Sequence, residues 1–232
     1  MKSMIWKAMC ATSPLIAGML PFAVAFGTIC DAAGIPGRYA IAMSATVYAG
    51  LAQFVVVNMY TNGIDNLLLL VGFALLVNLR FTLMGLSLKP IVPPRNTWFD
   101  CLVSFGLSDE PYAVVVHRFN THGYDLVFHV CAYAFVYIFW VAGTAIGVYL
   151  SSIIVDPTSL GLEFAMCAAF IVMLIPRLKQ WDSIAAAVLS GISVPALTCA
   201  GAGEAAIIFA SLGSLLAVVF VKRKLLKQKE AA

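Results

Sequence analysis

Eight apolar runs follow one another along this chain with only short connectors between them, at roughly 8–30, 40–60, 66–88, 98–117, 127–150, 160–176, 181–200 and 204–221. A hydrocarbon core of about 30 Å is crossed by roughly 20 helical residues rising about 1.5 Å each. Runs of this kind dominate the 232 residues, of which 62% are hydrophobic and only 11% charged, and the mean hydropathy is +0.97. Those values lie far outside the soluble range. A membrane barrel would alternate apolar and polar residues in segments of about ten. The continuous runs here do not. The expected fold is therefore all-α: a polytopic integral membrane helical bundle of six to eight segments, forming a single integral membrane domain over residues 1–232 in a lipid bilayer.

Basic residues sort by membrane side, so the connectors can be compared by their content. Those at 61–65, 151–159 and 201–203 hold no Lys or Arg. Arg38, then Lys89 with Arg95, Arg118, and Arg177 with Lys179 occupy others, and Lys222, Arg223, Lys224, Lys227 and Lys229 follow the last run. Rich and empty connectors alternate, which places the C-terminus in the cytoplasm. Two runs break the alternation, because 98–117 has basic residues on both flanks and so does 8–30, between Lys2 with Lys7 and Arg38. Both contain helix breakers: Pro14, Gly18, Pro21 and Gly27 in one, Gly106 and Pro111 around "GLSDEP" in the other. Broken or re-entrant segments near 8–30 and 98–117 are expected. A local echo, "PFAVAF" at 21–26 against "PYAVVV" at 111–116, hints at the internal repeats on which many transporters are built. The N-terminal run, with its lysines and Ala-Val-Ala triplet, is read as part of the mature fold rather than as a cleaved signal.

Charge inside the runs is where chemistry can reside. Arg80 lies eight residues from the basic end of its run, about 12 Å along a helix axis. An arginine at that depth costs at least about 2.5 to 3.5 kcal/mol on insertion scales and needs a partner and either a bundle interior or a wet cavity. Glu163 and Glu204 sit near run edges, and Asp100 near the start of its run. Asp109 and Glu110 remain as partners, in the middle of the broken fourth run. They immediately precede Pro111, which suits the first turn of a helix, where acids also complement the positive end of the dipole. Asn78, two residues before Arg80, points about 200° away on a regular helix. It implies either a helix buried on both sides or a local unwinding. Gln53 carries an amide that must find a partner or line a wet cavity. Arg80, Asp109, Glu110, Asn78 and Gln53 are thus the candidate substrate-binding or coupling residues. Gly191 and Pro195 mark a further expected break.

Other chemistries find little support. The six cysteines form no Cys-x-x-Cys pair and read as small hydrophobes. No metal or cofactor motif, no nucleophile-and-base pattern and no phosphate loop is present, so neither an enzyme nor a cofactor is expected. A net charge of +3 says nothing of nucleic acid in a membrane chain. His117, His122 and His129 cluster near a basic connector and read as surface residues.

"PFAVAFG" at 21–27, "YAGLAQF" at 48–54, "LLVNLRFTLMGLSLKP" at 75–90 and "LSDEPYA" at 107–113 together resemble the AzlC family, large subunits of bacterial branched-chain amino acid exporters. The resemblance covers roughly residues 10 to 220. It implies an inner-membrane permease exporting valine, leucine, isoleucine and sometimes methionine, with proton coupling and a small hydrophobic AzlD-type partner subunit. Two positions depart from the family pattern: Phe81 stands where histidine is common and Met84 where tyrosine is frequent. Against the exporter stands a second reading, a non-transporting membrane scaffold in which Arg80 with Asp109 or Glu110 is a structural ion pair.

Overall fold

The computed structural model describes residues 2–151, 171, 175, 178, 181–202, 210, 213, 214 and 216–221. Every regular element among them is helical. Four helices are long and apolar enough to cross a membrane, Lys2–Ala32, Leu67–Leu88, Leu126–Ser151 and Trp181–Ala200, so this is an all-α membrane bundle. The chain divides into two compact units, Met1–Ala168 and Ala169–Ala232.

In the first unit, α1 (Lys2–Ala32) packs lengthwise on α7 (Leu126–Ser151). The contact is parallel: Ala8 clusters with Phe128, Gly143 meets Ala23, and Gly147 meets Val24 and Gly27. A Cβ on Gly27 would overlap the Thr144 carbonyl oxygen, and one on Gly147 would overlap that of Val24. Small residues let the two backbones touch, the usual device of membrane helices. Contrary to the broken run expected near 8–30, α1 is unbroken through Pro14 and Pro21. Proline removes one N–H, and here the Ser13 hydroxyl donates to the Cys10 carbonyl at 3.0 Å, replacing the donor that Pro14 lacks. At 31 residues α1 extends about 46 Å, which sets Lys7 and Arg38 at opposite ends of the unit. Arg38 is the one that violates the charge alternation, and its guanidinium covers the Tyr39 ring at 4.9 Å. Nor does the echo between 21–26 and 111–116 mark equivalent places. Pro21 is mid-helix and Pro111 opens one.

The second run is not one crossing. It forms α2 (Gly37–Thr46) and α3 (Gly50–Thr61), joined by a turn at Val47, Tyr48 and Ala49. As α2 proceeds, its contacts step back along α7: Gly37 faces Val148, Ser44 bonds Thr144, and the Ala45 carbonyl accepts from Tyr137. Gln53 then reaches back to Ser44 at 3.0 Å. Nine residues of straight helix would separate those two by about 13 Å along the axis. The chain has therefore turned round, and α3 leaves at the end where α2 entered.

A matching hairpin enters from the opposite end. After α4 (Leu67–Leu88) has returned the chain to the end that holds Lys7, α5 (Thr97–Phe105) goes in and α6 (Asp109–His122) comes out. The start of α5 and the segment after α6 meet, since Phe99 and Asp100 line one cavity with Tyr124 and His129. Segment 98–117 is thus re-entrant. Lys89, Arg95 and Arg118 consequently lie at one end, together with Lys7. Two half-helix hairpins entering from opposite ends is an inverted arrangement of the kind transporters place around a midplane site.

Within the second unit, α8 (Trp181–Leu197) continues through Gly191 and Pro195 rather than breaking there, and a wider π turn follows at Thr198–Ala202. Hydroxyls bond back to the backbone around the proline, Ser193 to the Leu189 carbonyl at 2.6 Å and Thr198 to that of Val194 at 2.8 Å. Glu163, Glu204 and the C-terminal basic residues lie outside the described residues.

Candidate functional site

The tips of the two hairpins touch. Tyr48, in the α2–α3 turn, has φ 46° and is the only non-glycine residue in the left-handed region among the described residues. That conformation costs about 1 to 3 kcal/mol and persists only where surroundings enforce it. They do so here: the Tyr48 ring lies 5.1 Å from Tyr137 and 6.1 Å from Phe105, and those two rings are 5.8 Å apart. Its hydroxyl reaches the Ser108 hydroxyl at 3.2 Å. Gly106 permits the second tip, because a Cβ there would come within 2.7 Å of the Tyr133 Cβ.

From this junction the polar groups run along the start of α6. Ser108 stands at the N-cap but does not cap; its hydroxyl donates to Glu110 Oε2 at 3.4 Å while receiving Tyr48. Asp109 and Glu110 occupy the first turn, next to the positive end of the helix dipole. Across from them, Arg80 Nη1 lies 2.7 Å from Asp109 Oδ2, with the two side chains 20% and 12% exposed. The same guanidinium covers the Phe81 ring at 5.0 Å, so the residue that departs from the family pattern forms one wall of the arginine's site. Two turns further along α4, the Ser87 and Tyr112 hydroxyls meet at 2.7 Å and tie α4 to α6 again.

Two of the other expected site residues are placed differently. Asn78 is on an unbroken α4, so no local unwinding occurs, and its Oδ1 is buried without a hydrogen-bond partner among the described residues. Two positions from Arg80 on a regular helix, it faces away from the ion pair. Gln53 is 1% exposed, and both ends of its amide are occupied: Nε2 donates to Ser44, and Oε1 accepts from Trp140 Nε1 at 3.2 Å. Ser44 in turn bonds Thr144 at 2.8 Å. This network, beside Phe26 and Phe54, commits one donor and one acceptor of the buried Gln53 amide to protein partners.

On the basic side of the α5–α6 tip is a cavity of about 380 Å³ bounded by Gly85, Ser104, Leu107, Tyr133, Lys89 and Asp100; Arg80, Asp109 and Glu110 are not among the described residues that line it. His129 also lines it, and here the expectation of a surface histidine is corrected. Because α7 begins at Leu126, this ring falls within the bundle, 3% exposed and edge-on to Phe119, Tyr124 and Tyr133. Neither ring nitrogen has a hydrogen-bond partner among the described residues. His117 and His122 are exposed. No cluster of three or more His, Cys, Asp or Glu side chains suited to a metal occurs among the described residues.

A model of the family described as AzlC protein matches residues 14–154, more than half of the chain and all of the site. The chain belongs to the AzlC family. Among its relatives is the branched-chain amino acid transport protein AzlC of Bacillus subtilis, 30% identical over 240 residues, covering 100% of this chain and 91% of that one. An uncharacterized membrane protein of Archaeoglobus fulgidus is 28% identical over 76% of this chain and 77% of its own. Inner membrane protein YgaZ of Escherichia coli is 26% identical over 74% of this chain and 72% of its own. No solved structure matches. The family assignment accords with a multi-pass membrane protein, and the matched residues contain both hairpins.

Proposed function

We propose that this protein is the large subunit of a bacterial inner-membrane exporter of branched-chain amino acids, coupled to protons and working with a small hydrophobic AzlD-type subunit. The observation that carries the reading is the Arg80–Asp109 pair at the tip of a re-entrant hairpin, beside a 380 Å³ cavity. A zwitterionic amino acid needs a cation for its carboxylate, an anion for its ammonium and apolar walls for its side chain. Arg80, Asp109 with Glu110, and the Leu107 and Tyr133 surfaces supply these within one region. In the resting state Arg80 and Asp109 neutralise each other. Substrate or a proton competes for the same two groups, which gives the two differently stabilised states that transport requires. Since the cavity lies toward Lys7, Lys89, Arg95 and Arg118, the end retained in the cytoplasm by the charge rule, the geometry suits a site loaded from inside, with the C-terminus also cytoplasmic. The Gln53 network closes the opposite side and acts by holding the α2–α3 turn in place.

In proteoliposomes containing both subunits, Arg80→Gln abolishes counterflow of labelled valine while the complex stays intact. Normal counterflow in that variant would sink the site. A second reading, the non-transporting scaffold, is favoured by one observation, that Arg80 and Asp109 already satisfy each other at 2.7 Å as a structural pair would. It requires that Asp109→Asn and Glu110→Gln keep full flux but lose the small subunit.

A further inference from the structure

A second cavity lies away from the hairpin tips, on the outer side of α1 and α6 near the basic end. It measures about 550 Å³ and is lined along one part by Ala11, Pro14, Leu15, Ala113 and Val114. Its other part holds Lys7, His117, Arg118 and His122, and no acidic residue among the described residues lines it. The two helices run in opposite directions here, so polar and apolar parts fall in register. From Lys7 to Leu15 on α1, and from His122 to Val114 on α6, the groove passes from cationic to wholly apolar over about 12 Å on both walls. That gradient follows the membrane depth, with the cations at the end of α1 that leaves the bilayer and the apolar walls toward its middle.

Arg118 adds an electrostatic reason for an anion. Its guanidinium lies 5.6 Å over the Phe128 ring, it forms no ion pair among the described residues, and its Nη1 is sealed from solvent without a hydrogen-bond partner among them. A guanidinium without an acceptor at a lipid interface is costly, and phosphate is the oxyanion its fork suits best.

We propose that this groove binds an anionic phospholipid, the phosphate and glycerol head resting against Lys7, Arg118 and the two imidazoles, and an acyl chain lying along Pro14, Leu15, Ala113 and Val114. The site is independent of the amino acid site and of its assignment. Juxtamembrane cations near an anionic leaflet are each worth about fivefold in affinity, about thirtyfold for two. Native mass spectrometry of the full-length protein, loaded with phosphatidylglycerol or phosphatidylcholine of the same chains, reads this directly. Wild type retains phosphatidylglycerol in preference, and Lys7→Gln with Arg118→Gln reduces that retention about thirtyfold. Val114→Trp, which keeps every cation but fills the apolar part, releases the lipid as well. Equal retention of the two lipids, or loss of preference only on neutralising Lys222, Arg223 and Lys224, would overturn the site. A photoreactive residue at position 114 distinguishes the remaining occupant in cells: a lipid adduct supports the proposal, and a crosslink to a protein subunit refutes it.

Discussion

The two re-entrant hairpins share a shape and differ in chemistry. In α2–α3 the turn is neutral, Ser44 and Gln53 bonding Thr144 and Trp140 of α7 and the strain at Tyr48 held by two aromatic rings, Tyr137 and Phe105. By contrast α5–α6 has two carboxylates in its first outgoing turn, an arginine from a neighbouring helix and a cavity beside it. A neutral network has one favourable arrangement. An ion pair at membrane depth has competitors for each half, and on the proposed reading that asymmetry makes the second hairpin the working one and the first its abutment.

The sharpest way to break the contrast is to remove one half of the ion pair. Asp109→Ala leaves Arg80 without its partner at membrane depth, and breaking a buried pair costs about 3 to 5 kcal/mol. Thermal unfolding in detergent should show the largest loss of this set, and counterflow should vanish. A smaller effect is expected at the neutral hairpin. Gln53→Leu strands the Trp140 N–H, about 1 to 3 kcal/mol for a buried group left unsatisfied, while the Ser44 hydroxyl keeps Thr144. Unfolding temperature falls, yet counterflow per folded molecule is kept. If Gln53→Leu abolishes counterflow without changing stability, the division of labour between the hairpins is wrong. Between the tips, Tyr48→Phe deletes only the hydroxyl that meets Ser108, a contact worth about 0.5 to 1.5 kcal/mol. It should shift stability least and change the rate of counterflow rather than the affinity for valine.

How much of this was legible beforehand differs between the hairpins for the same physical reason. "GLSDEP" announces its turn, since glycine, short polar residues and proline cannot continue a helix in lipid. "ATVYAGL" at 45–51 contains only Gly50 as a breaker, and its turn is imposed from a distance by Tyr137 and Trp140, which no local pattern reveals. Prolines misled in the opposite direction at α1, where Ser13 repairs the backbone that Pro14 interrupts. Gly27 misled likewise: it reads as a breaker, whereas it is where the α1 backbone touches α7 at Thr144 and Gly147, a contact no local pattern assigns. Arg80 demanded an acid, and two adjacent acids were available. Neighbouring helical positions point about 100° apart, so only the three-dimensional path of α6 brings Asp109 to the guanidinium, while Glu110 turns to Ser108.

One comparison tests the central claim, that the charged hairpin tip is the transport site, most directly: counterflow of labelled valine in proteoliposomes carrying Asp109→Asn beside wild type, with the small subunit present in both. Asparagine keeps size and hydrogen bonding but removes the charge for which substrate ammonium or a proton competes. The account predicts an assembled complex with counterflow lost, whereas full counterflow in a complex that no longer holds its small subunit would contradict it.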